Sequence, residues 1–343
     1  MPLKIALAGN PNSGKTTLFN VLTGSNQFVG NWPGVTVEKK EGRLRHEKEI
    51  TITDLPGIYS LSPYTLEEVI TRQYLLEEHP DVILNIVDAS NLERNLFLTT
   101  QLLELGIPVV VALNMMDVVE KNGDVIDTAA LSKLLGCSVV TISALKSKGI
   151  SALIQTIKED GTARSVTPPH RFDDTVEQAL EQIAAHLPPT VKASQARFYT
   201  IKLFERDSKL PSSFEPVLRA CEPIIESVET ALDDDAESII TAGRYLFLTS
   251  EIARCYRKKT QKKHSTSDKI DRIVTNRFAA LPIFAVIMFL VYFISVTTVG
   301  TFVTDWTNDG LFGEGFHLFG IGAGEYETAV EAFEADPTLE EPS

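Results

Sequence analysis

The sequence predicts an α/β domain built on a mostly parallel sheet, then a small all-α domain, then one helix able to cross a membrane. Three observations carry this. From Leu3 to about Ile157 short β-branched runs alternate with helical patterns. From about Asp173 to Lys263 strand signals vanish and apolar residues recur at helical spacing. Between Arg277 and Asp305 there is no charged residue at all.

The first stretch predicts strands at Lys4 to Ala8, Ile50 to Asp54, Val82 to Asp88, Pro108 to Asn114 and Ser138 to Ile142. Helical patterns fall between them at Lys15 to Thr23, Leu66 to Glu77 and Leu92 to Leu105. Strands alternating with helices are the pattern of a parallel sheet, because each parallel crossover carries a helix that covers one face. Pro168 and Pro169 mark a boundary, and Pro188, Pro189, Pro211 and Pro216 punctuate the helices that follow. The expected domains are 1–165 for the sheet domain, 170–268 for the helical domain, 278–304 for the membrane helix, and 305–343 for the extracytoplasmic start of a further membrane domain.

The apolar stretch, with its centre at Leu281 to Val299, exceeds the roughly 20 residues that cross a bilayer as a helix. Arg254, Arg257, Lys258, Lys259, Lys262, Lys263, Lys269, Arg272 and Arg277 precede it, and Asp305, Asp309 and Glu314 follow it. The positive-inside bias therefore puts the N-terminal domains in the cytoplasm and the tail outside. The first 20 residues lack a charged segment followed by an apolar one, which agrees with a cytoplasmic start. A chain of 343 residues is too long for one ordinary domain, and 43% hydrophobic content is enough for a core. The net charge of -14 argues against a general nucleic-acid binder, which needs cations to displace counterions from phosphates. Cys137, Cys221 and Cys255 lie far apart without a CxxC, so a reducing compartment and buried thiols are expected.

The first strand runs into Gly9-Asn10-Pro11-Asn12-Ser13-Gly14-Lys15-Thr16, continued by Thr17 in the first helix. This is GxxxxGK[ST] in strand-loop-helix order, the signature of a phosphate loop. Gly9 and Gly14 let backbone amides close around phosphates, Lys15 adds charge at the β and γ phosphates, and the Thr16 hydroxyl can ligate Mg²⁺. Asp54-Leu55-Pro56-Gly57 ends a strand, where Asp54 can reach Mg²⁺ through water and the Gly57 amide can sense the γ phosphate. Upstream, Gly34-Val35-Thr36 follows the loop Gly30 to Gly34, expected to be flexible, and the Thr36 hydroxyl can complete the Mg²⁺ shell when the γ phosphate is present.

Asn114-Met115-Met116-Asp117 follows the strand that begins near Pro108. Asp117 can accept from the N1–H and 2-amino group of guanine, which adenine does not offer, while Asn114 ties neighbouring loops together. An unpaired carboxylate against adenine costs about 1–3 kcal/mol or more, enough to select GTP and GDP. Ser143-Ala144-Leu145-Lys146 fits the loop whose Ala144 amide meets the guanine O6. The five elements in this order predict a Ras-like GTP-hydrolysing domain that uses Mg²⁺.

Two departures from the common pattern matter. Position 115 is Met where many GTPases carry a Lys that covers the base, so weak nucleotide affinity and fast exchange are expected; a nanomolar affinity for GDP would contradict this. Position 58 is Ile where Ras-like enzymes use a Gln to orient water, so hydrolysis is expected to be slow and another device must position the nucleophile.

Residues Gly9 to Thr16, Gly30-Asn31-Trp32-Pro33-Gly34-Val35-Thr36-Val37-Glu38 and Asp54 to Leu61, with the order of the three parts, resemble the bacterial ferrous iron transport protein B family. The resemblance covers essentially the whole chain, and the Asn-Trp-Pro-Gly-Val-Thr-Val string is its most specific element. It implies Fe²⁺ uptake across the bacterial inner membrane, a helical domain that modulates nucleotide binding, and activation by K⁺. It also implies that Asn12 holds K⁺ beside the phosphates, with backbone carbonyls around Gly30 and Trp32 completing the cage. Asn12, Lys15, Thr36 and Gly57 then form the expected catalytic set. Partners implied are the rest of the chain's own membrane domain, Fe²⁺ as cargo, small cytoplasmic accessory proteins and a second copy of the chain.

Two rival readings share the nucleotide elements: a ribosome-assembly GTPase, which would bring an RNA-binding domain, and a membrane-tethered signalling GTPase without transport. Trp32 has two readings, an exposed loop residue whose backbone alone matters, which is favoured, or an aromatic that packs against the sheet domain when the loop closes. The six histidines, His46, His79, His170 and His186 among them, show no ligand spacing, and Asp233-Asp234-Asp235 reads as a helix start or solvated loop.

Overall fold

The computed structural model describes residues 2–24, 27–45, 47–161, 170–257, 274–276, 279–307 and 323–336. It comprises two compact units, Met1–Thr260 and Gln261–Ser343. Several expectations lie outside the described residues: the boundary at Pro168 and Pro169, His46, the cations Lys258, Lys259, Lys262, Lys263, Lys269, Arg272 and Arg277, and the acids Asp309 and Glu314.

The first unit contains a seven-stranded sheet made of β1 (Leu3–Gly9), β2 (Gln27–Asn31), β3 (Glu38–Leu44), β4 (Glu47–Asp54), β5 (Val82–Asp88), β6 (Val109–Asn114) and β8 (Ser138–Thr141), in the spatial order β2-β3-β4-β1-β5-β6-β8. Strands β4, β1, β5, β6 and β8 are parallel, and the β2–β3–β4 edge is antiparallel. Register aligns Leu7 with Asp54, Gly9 with Ile86, Asp88 with Asn114, and Leu113 with Thr141. The carboxyl ends of the parallel strands therefore share one edge of the sheet, where open α/β sheets bind ligands.

Period-2 alternation explains both faces. Ile5 and Leu7 turn toward Leu18, Phe19 and Leu22 of α1 (Lys15–Thr23) and toward Leu153 and Ile157 of α6 (Ile150–Asp160). Ala6 and Ala8 turn to the opposite face with Leu96 and Leu102 of α3 (Leu92–Glu104). The five expected strands and three expected helices are all present. Helix α2 (Leu66–Glu77) starts at Thr65, whose side chain accepts from the Glu68 amide while the Glu68 carboxylate accepts from the Thr65 amide.

Two features depart from the sequence reading. The stretch expected as a flexible loop from Gly30 begins as strand, because Gly30 and Asn31 close the β2–β3 hairpin. The charged run Glu38-Lys39-Lys40-Glu41 hid β3: a strand near a solvated sheet edge has little apolar alternation to betray it. The helical region also ends in a strand. Tyr256–Arg257 (β9) pairs antiparallel with Val125–Ile126 (β7), supported by the Asp127 amide donating to the Cys255 carbonyl at 2.8 Å.

The helical part consists of α7 (Asp174–Ala184), α8 (Ala196–Phe204), α9 (Glu215–Leu232) and α10 (Ala236–Cys255). Asp173 caps α7 and Asp235 caps α10 by accepting backbone amides, and Asp233 ends α9 in the left-handed region at φ 53. The acidic run is thus an exposed interhelical turn. Phe172, Val176, Leu180, Ile201, Phe204, Ile225 and Ile240 form a core of their own. Phe198, Leu248 and Ile252 instead join the core that covers the α3 face of the sheet.

Two ion pairs cross the same contact: Arg72 of α2 with Asp207 at 2.6 Å and Arg244 of α10 with Glu104 of α3 at 2.8 Å. Within the helical part they are joined by Arg244 to Glu205 at 3.1 Å and by the local pair Lys202–Glu205 at 2.6 Å. None of these side chains is more than 6% exposed. Burial pushes the Glu104 carboxyl up, but the Arg244 guanidinium outweighs it and holds that group below the usual carboxylate range. His170, packed edge-on against Phe172 with ring centroids 4.6 Å apart, is lowered to about 4 by burial and is neutral at pH 7. Cys221 and Cys255 are buried and Cys137 is partly buried.

The second unit contains a continuous helical run, Ala280–Asp305, of 26 residues with mean hydropathy 2.4 over its most apolar stretch and none of that stretch buried. It is long and apolar enough to cross a membrane. One turn of wider π geometry interrupts it at Ile294–Gly300. A second helix follows at Ala323–Ala335.

Candidate functional site

Gly9 ends β1 where a Cβ would lie 2.6 Å from the Ile86 side chain and 2.7 Å from the Ile86 carbonyl, so only glycine lets the loop leave the sheet here. Gly14 stands at φ 93 directly before α1, and a Cβ on it would come 2.4 Å from Asn114 Nδ2. Between them Asn12 holds a left-handed φ of 65, and the Ser13 hydroxyl donates to the Asn10 carbonyl at 2.8 Å. Helix α1 has no side-chain cap at its start, so the amides of Lys15, Thr16 and Thr17 present the positive end of the helix to the loop. Asn12, Thr16 and Thr17 are exposed, which leaves this end open to a ligand.

Both amide atoms of the Asn10 side chain are buried without a hydrogen-bond partner among the described residues. A protein that buries polar atoms unpaired at a phosphate-type loop is built to receive a polar group there. Lys15 Nζ lies 2.5 Å from Asp54 Oδ1, so the loop's cation and the strand-end carboxylate face the same point. Burial raises the Asp54 pKa, and the Lys15 ammonium offsets only part of that. A divalent cation held by Thr16 and approached by Asp54 suits this donor set, which is hard oxygen throughout.

The Asp54-Leu55-Pro56-Gly57 turn is pinned on both sides. The Leu55 amide donates to the Leu7 carbonyl at 3.0 Å and the Ile58 amide to the Gly9 carbonyl at 3.3 Å. Leu55, Ile58 and Leu61 are buried, and the buried Gln101 side chain accepts from the Leu61 amide at 2.5 Å. Gly57 is thereby set against Pro11, where a Cβ would be 3.4 Å from the proline backbone.

Across the β2–β3 connection the Trp32 amide donates to the Val37 carbonyl at 2.9 Å and the Val35 amide to the Trp32 carbonyl at 3.2 Å. Gly34 at φ 75 and Thr36 are exposed, and among the described residues the Thr36 side chain makes no hydrogen bond to Lys15, Thr16 or Asp54. Of the two readings of Trp32 the favoured, exposed one is corrected: its ring is buried, edge-on to Tyr74 at 5.4 Å with the Lys39 ammonium 5.2 Å above it, as in the packed reading. A loop aromatic gives no periodic signal, whereas the Ile70 and Tyr74 side of α2 provides the apolar seat.

The remaining elements converge through one side chain. Asn114 Nδ2 donates to the Ser13 carbonyl at 2.9 Å and its Oδ1 accepts from the Ala144 amide at 2.9 Å, joining the phosphate loop to the Ser143–Leu145 loop. Met115 is left-handed at φ 62, which turns the chain into α4 (Met116–Asn122) and places Asp117 in its first turn. Asp117 Oδ2 lies 2.9 Å from Lys146 Nζ, and its Oδ1 accepts from the Ser143 hydroxyl at 3.4 Å. These hydrogen bonds, Lys146 first, hold the Asp117 carboxyl below its ordinary value. Leu145 is 84% exposed beside this carboxylate. The structure therefore gathers the residues 9–17, 54–57, 114–117 and 143–145 at one edge of the sheet and leaves Gly34 to Thr36 on an exposed connection. Sequence reasoning missed Lys146 and Gln101; Lys146 stood in the quoted Ser143–Lys146 string, but no spacing rule tied it to Asp117.

A Ras-type sheet with an antiparallel edge, a phosphate loop at the end of its first strand and the Asn114–Asp117 turn beside it defines a P-loop GTPase. A sequence profile described as "Ferrous iron transport protein B" matches residues 3–157, and one described as "FeoB cytosolic helical domain" matches residues 172–257. The chain is 40% identical over 325 residues to a Fe(2+) transport protein A/Fe(2+) transporter FeoB fusion protein of Porphyromonas gingivalis, covering 90% of this chain and 38% of that one. It is 39% identical over 303 residues to the Fe(2+) transporter FeoB of Escherichia coli, covering 87% of this chain and 39% of that one. An S. thermophilus NFeoB mutant bound to GDP is 46% identical, with a TM-score of 0.72, covering 75% of this chain and 100% of that one. S. thermophilus NFeoB bound to GDP.AlF4- and K+ is 48% identical, with a TM-score of 0.66, covering 73% of this chain and 99% of that one. The chain belongs to the ferrous iron transport protein B (FeoB) family. It spans less than two fifths of the length of the curated relatives named here.

Proposed function

We propose that this chain is the cytoplasmic GTP-binding part, with the first membrane span, of a ferrous iron transporter in a bacterial inner membrane, and that it hydrolyses GTP slowly. The observation that carries the reading is Asn114, which links the phosphate loop to the Ala144 loop and so brings residues 9–17 and Asp117 to one sheet edge, which supports a triphosphate cradle beside a guanine-reading carboxylate. The proposed domains are residues 1–165 for nucleotide, 170–268 for regulation, 278–304 for the span and 305–343 for the start of the outer segment.

The backbone N–H groups of the 9–17 loop, Pro11 excepted, and the Lys15 ammonium hold the phosphates, and Thr16, Thr36 and Asp54 would hold Mg²⁺, which would supply positive charge to the phosphate oxygens. Thr36 joins this set by movement of its exposed connection. Gly57, fixed against Pro11, offers its amide at the γ phosphate, and Asp117 reads guanine; the Ala144 amide, which donates to Asn114 Oδ1 in this structure, would have to turn from that bond to meet the guanine O6. The remaining membrane domain, Fe²⁺ as cargo, small accessory proteins and a second copy of the chain are the proposed partners.

Ile58 is buried, so no side chain at that position orients the attacking water. Asn12, with the carbonyls of Gly30 and Trp32, is proposed to hold K⁺ where charge develops in the transition state, as an arginine finger does elsewhere. The binding of K⁺ by S. thermophilus NFeoB supports this. GTP turnover is expected to be faster in KCl than in NaCl for the wild type, and the difference is expected to vanish in Asn12→Ala. Equal wild-type rates in the two salts would overturn the K⁺ role and leave the GTPase reading intact.

A further inference from the structure

Lys146 holds the carboxylate that a guanine base has to take. Asp117 Oδ2 lies 2.9 Å from Lys146 Nζ, and Oδ1 is already approached by the Ser143 hydroxyl at 3.4 Å. The N1–H and 2-amino group of guanine need both oxygens, and an ammonium on Oδ2 contends with the base for one of them. The loops around Asp117 are held without Lys146: Asn114 donates to the Ser13 carbonyl and accepts from the Ala144 amide. Position 115, from which many GTPases project a lysine along the base, is Met and projects no charge. Among the described residues the cation paired with this carboxylate thus comes from the loop after β8, on a side chain 52% exposed.

We propose that Lys146 is an intramolecular competitor for guanine, which occupies Asp117 in the nucleotide-free protein and leaves it when the base binds. The inference rests on the guanine-nucleotide reading of the site. Its consequence is that only the fraction of molecules with Lys146 swung away is competent, and apparent affinity is reduced by that fraction. An exposed pair of this kind favours the closed form by about two- to fivefold. Lys146 therefore works with Met115 toward weak binding, one by competing for the carboxylate and the other by leaving the base uncovered.

The test compares the full 343-residue chain in detergent as wild type, Lys146→Met and Lys146→Arg, using a fluorescent GDP analogue in stopped flow with Mg²⁺ present and K⁺ held constant. Lys146→Met is expected to associate about three- to sixfold faster and bind tighter by the same factor, with its dissociation rate unchanged. Lys146→Arg, which keeps the competing charge, is expected to stay near wild type. Raising ionic strength with choline chloride is expected to close the gap between wild type and Lys146→Met, because an exposed pair is screened. Unchanged or weaker binding by Lys146→Met, or a gap that persists at high ionic strength, overturns the proposal. If the wild type itself gives no response to the analogue, the nucleotide reading fails first, before any variant is compared.

Discussion

Replacing Lys15 with alanine is expected to lower GTP turnover by about 10²–10³-fold, the loss seen when one preorganised donor at developing charge is removed. The ammonium lies 2.5 Å from Asp54 and only 12% of its side chain is exposed, so it acts from a partly desolvated position where charge is poorly screened. The backbone of the loop does not depend on it. Helix α1 keeps the Leu18 amide on the Gly14 carbonyl at 2.9 Å, and Asn114 still holds the Ser13 carbonyl. Phosphate release at saturating GTP, with a urea midpoint as control, measures the effect. Wild-type turnover in a folded Lys15→Ala protein would show that the phosphates sit elsewhere.

The second large effect concerns stability. Arg244→Met is expected to cost about 3–5 kcal/mol, because it leaves buried carboxylates without their partner. Glu104 loses bonds at 2.8 and 3.1 Å and Glu205 loses one at 3.1 Å, while Lys202 still holds Glu205. Since Arg244 holds the Glu104 pKa down, the pair's contribution is complete above the ordinary carboxylate value and is lost as pH falls through the lowered folded value. The difference between wild type and Arg244→Met, read from urea unfolding, should therefore be greatest at neutral pH and shrink in acid. A loss below about 1 kcal/mol at neutral pH would mean that the network behaves as a solvated one.

This network also shows where sequence reading stops. Strands β1, β5 and β6 were legible as short β-branched apolar runs, helices α1 and α2 by apolar residues at helical spacing, and the phosphate loop because glycine spacing is dictated by close backbone approach. Arg72, Glu104, Lys202, Glu205, Asp207 and Arg244 carry no such signal. Charged residues on helices usually face water, and only the packing of α8 and α10 on α3 makes these an exception. The two readings of Trp32 stayed open for a related reason, since its burial depends on Tyr74, 42 positions away. The residues of the candidate site were named by local strings. Their convergence through Asn114, and the hold of Lys146 on Asp117, became visible only once the strand ends were aligned.

The pairing of base-reading and phosphate-holding groups on one sheet edge is tested most directly by titration calorimetry of the chain with GDP and with ADP, Mg²⁺ present. Heat of binding is expected for GDP with at most a trace for ADP, and Asp117→Ala should erase that preference. Equal binding of the two nucleotides, or no binding of either, would contradict the account.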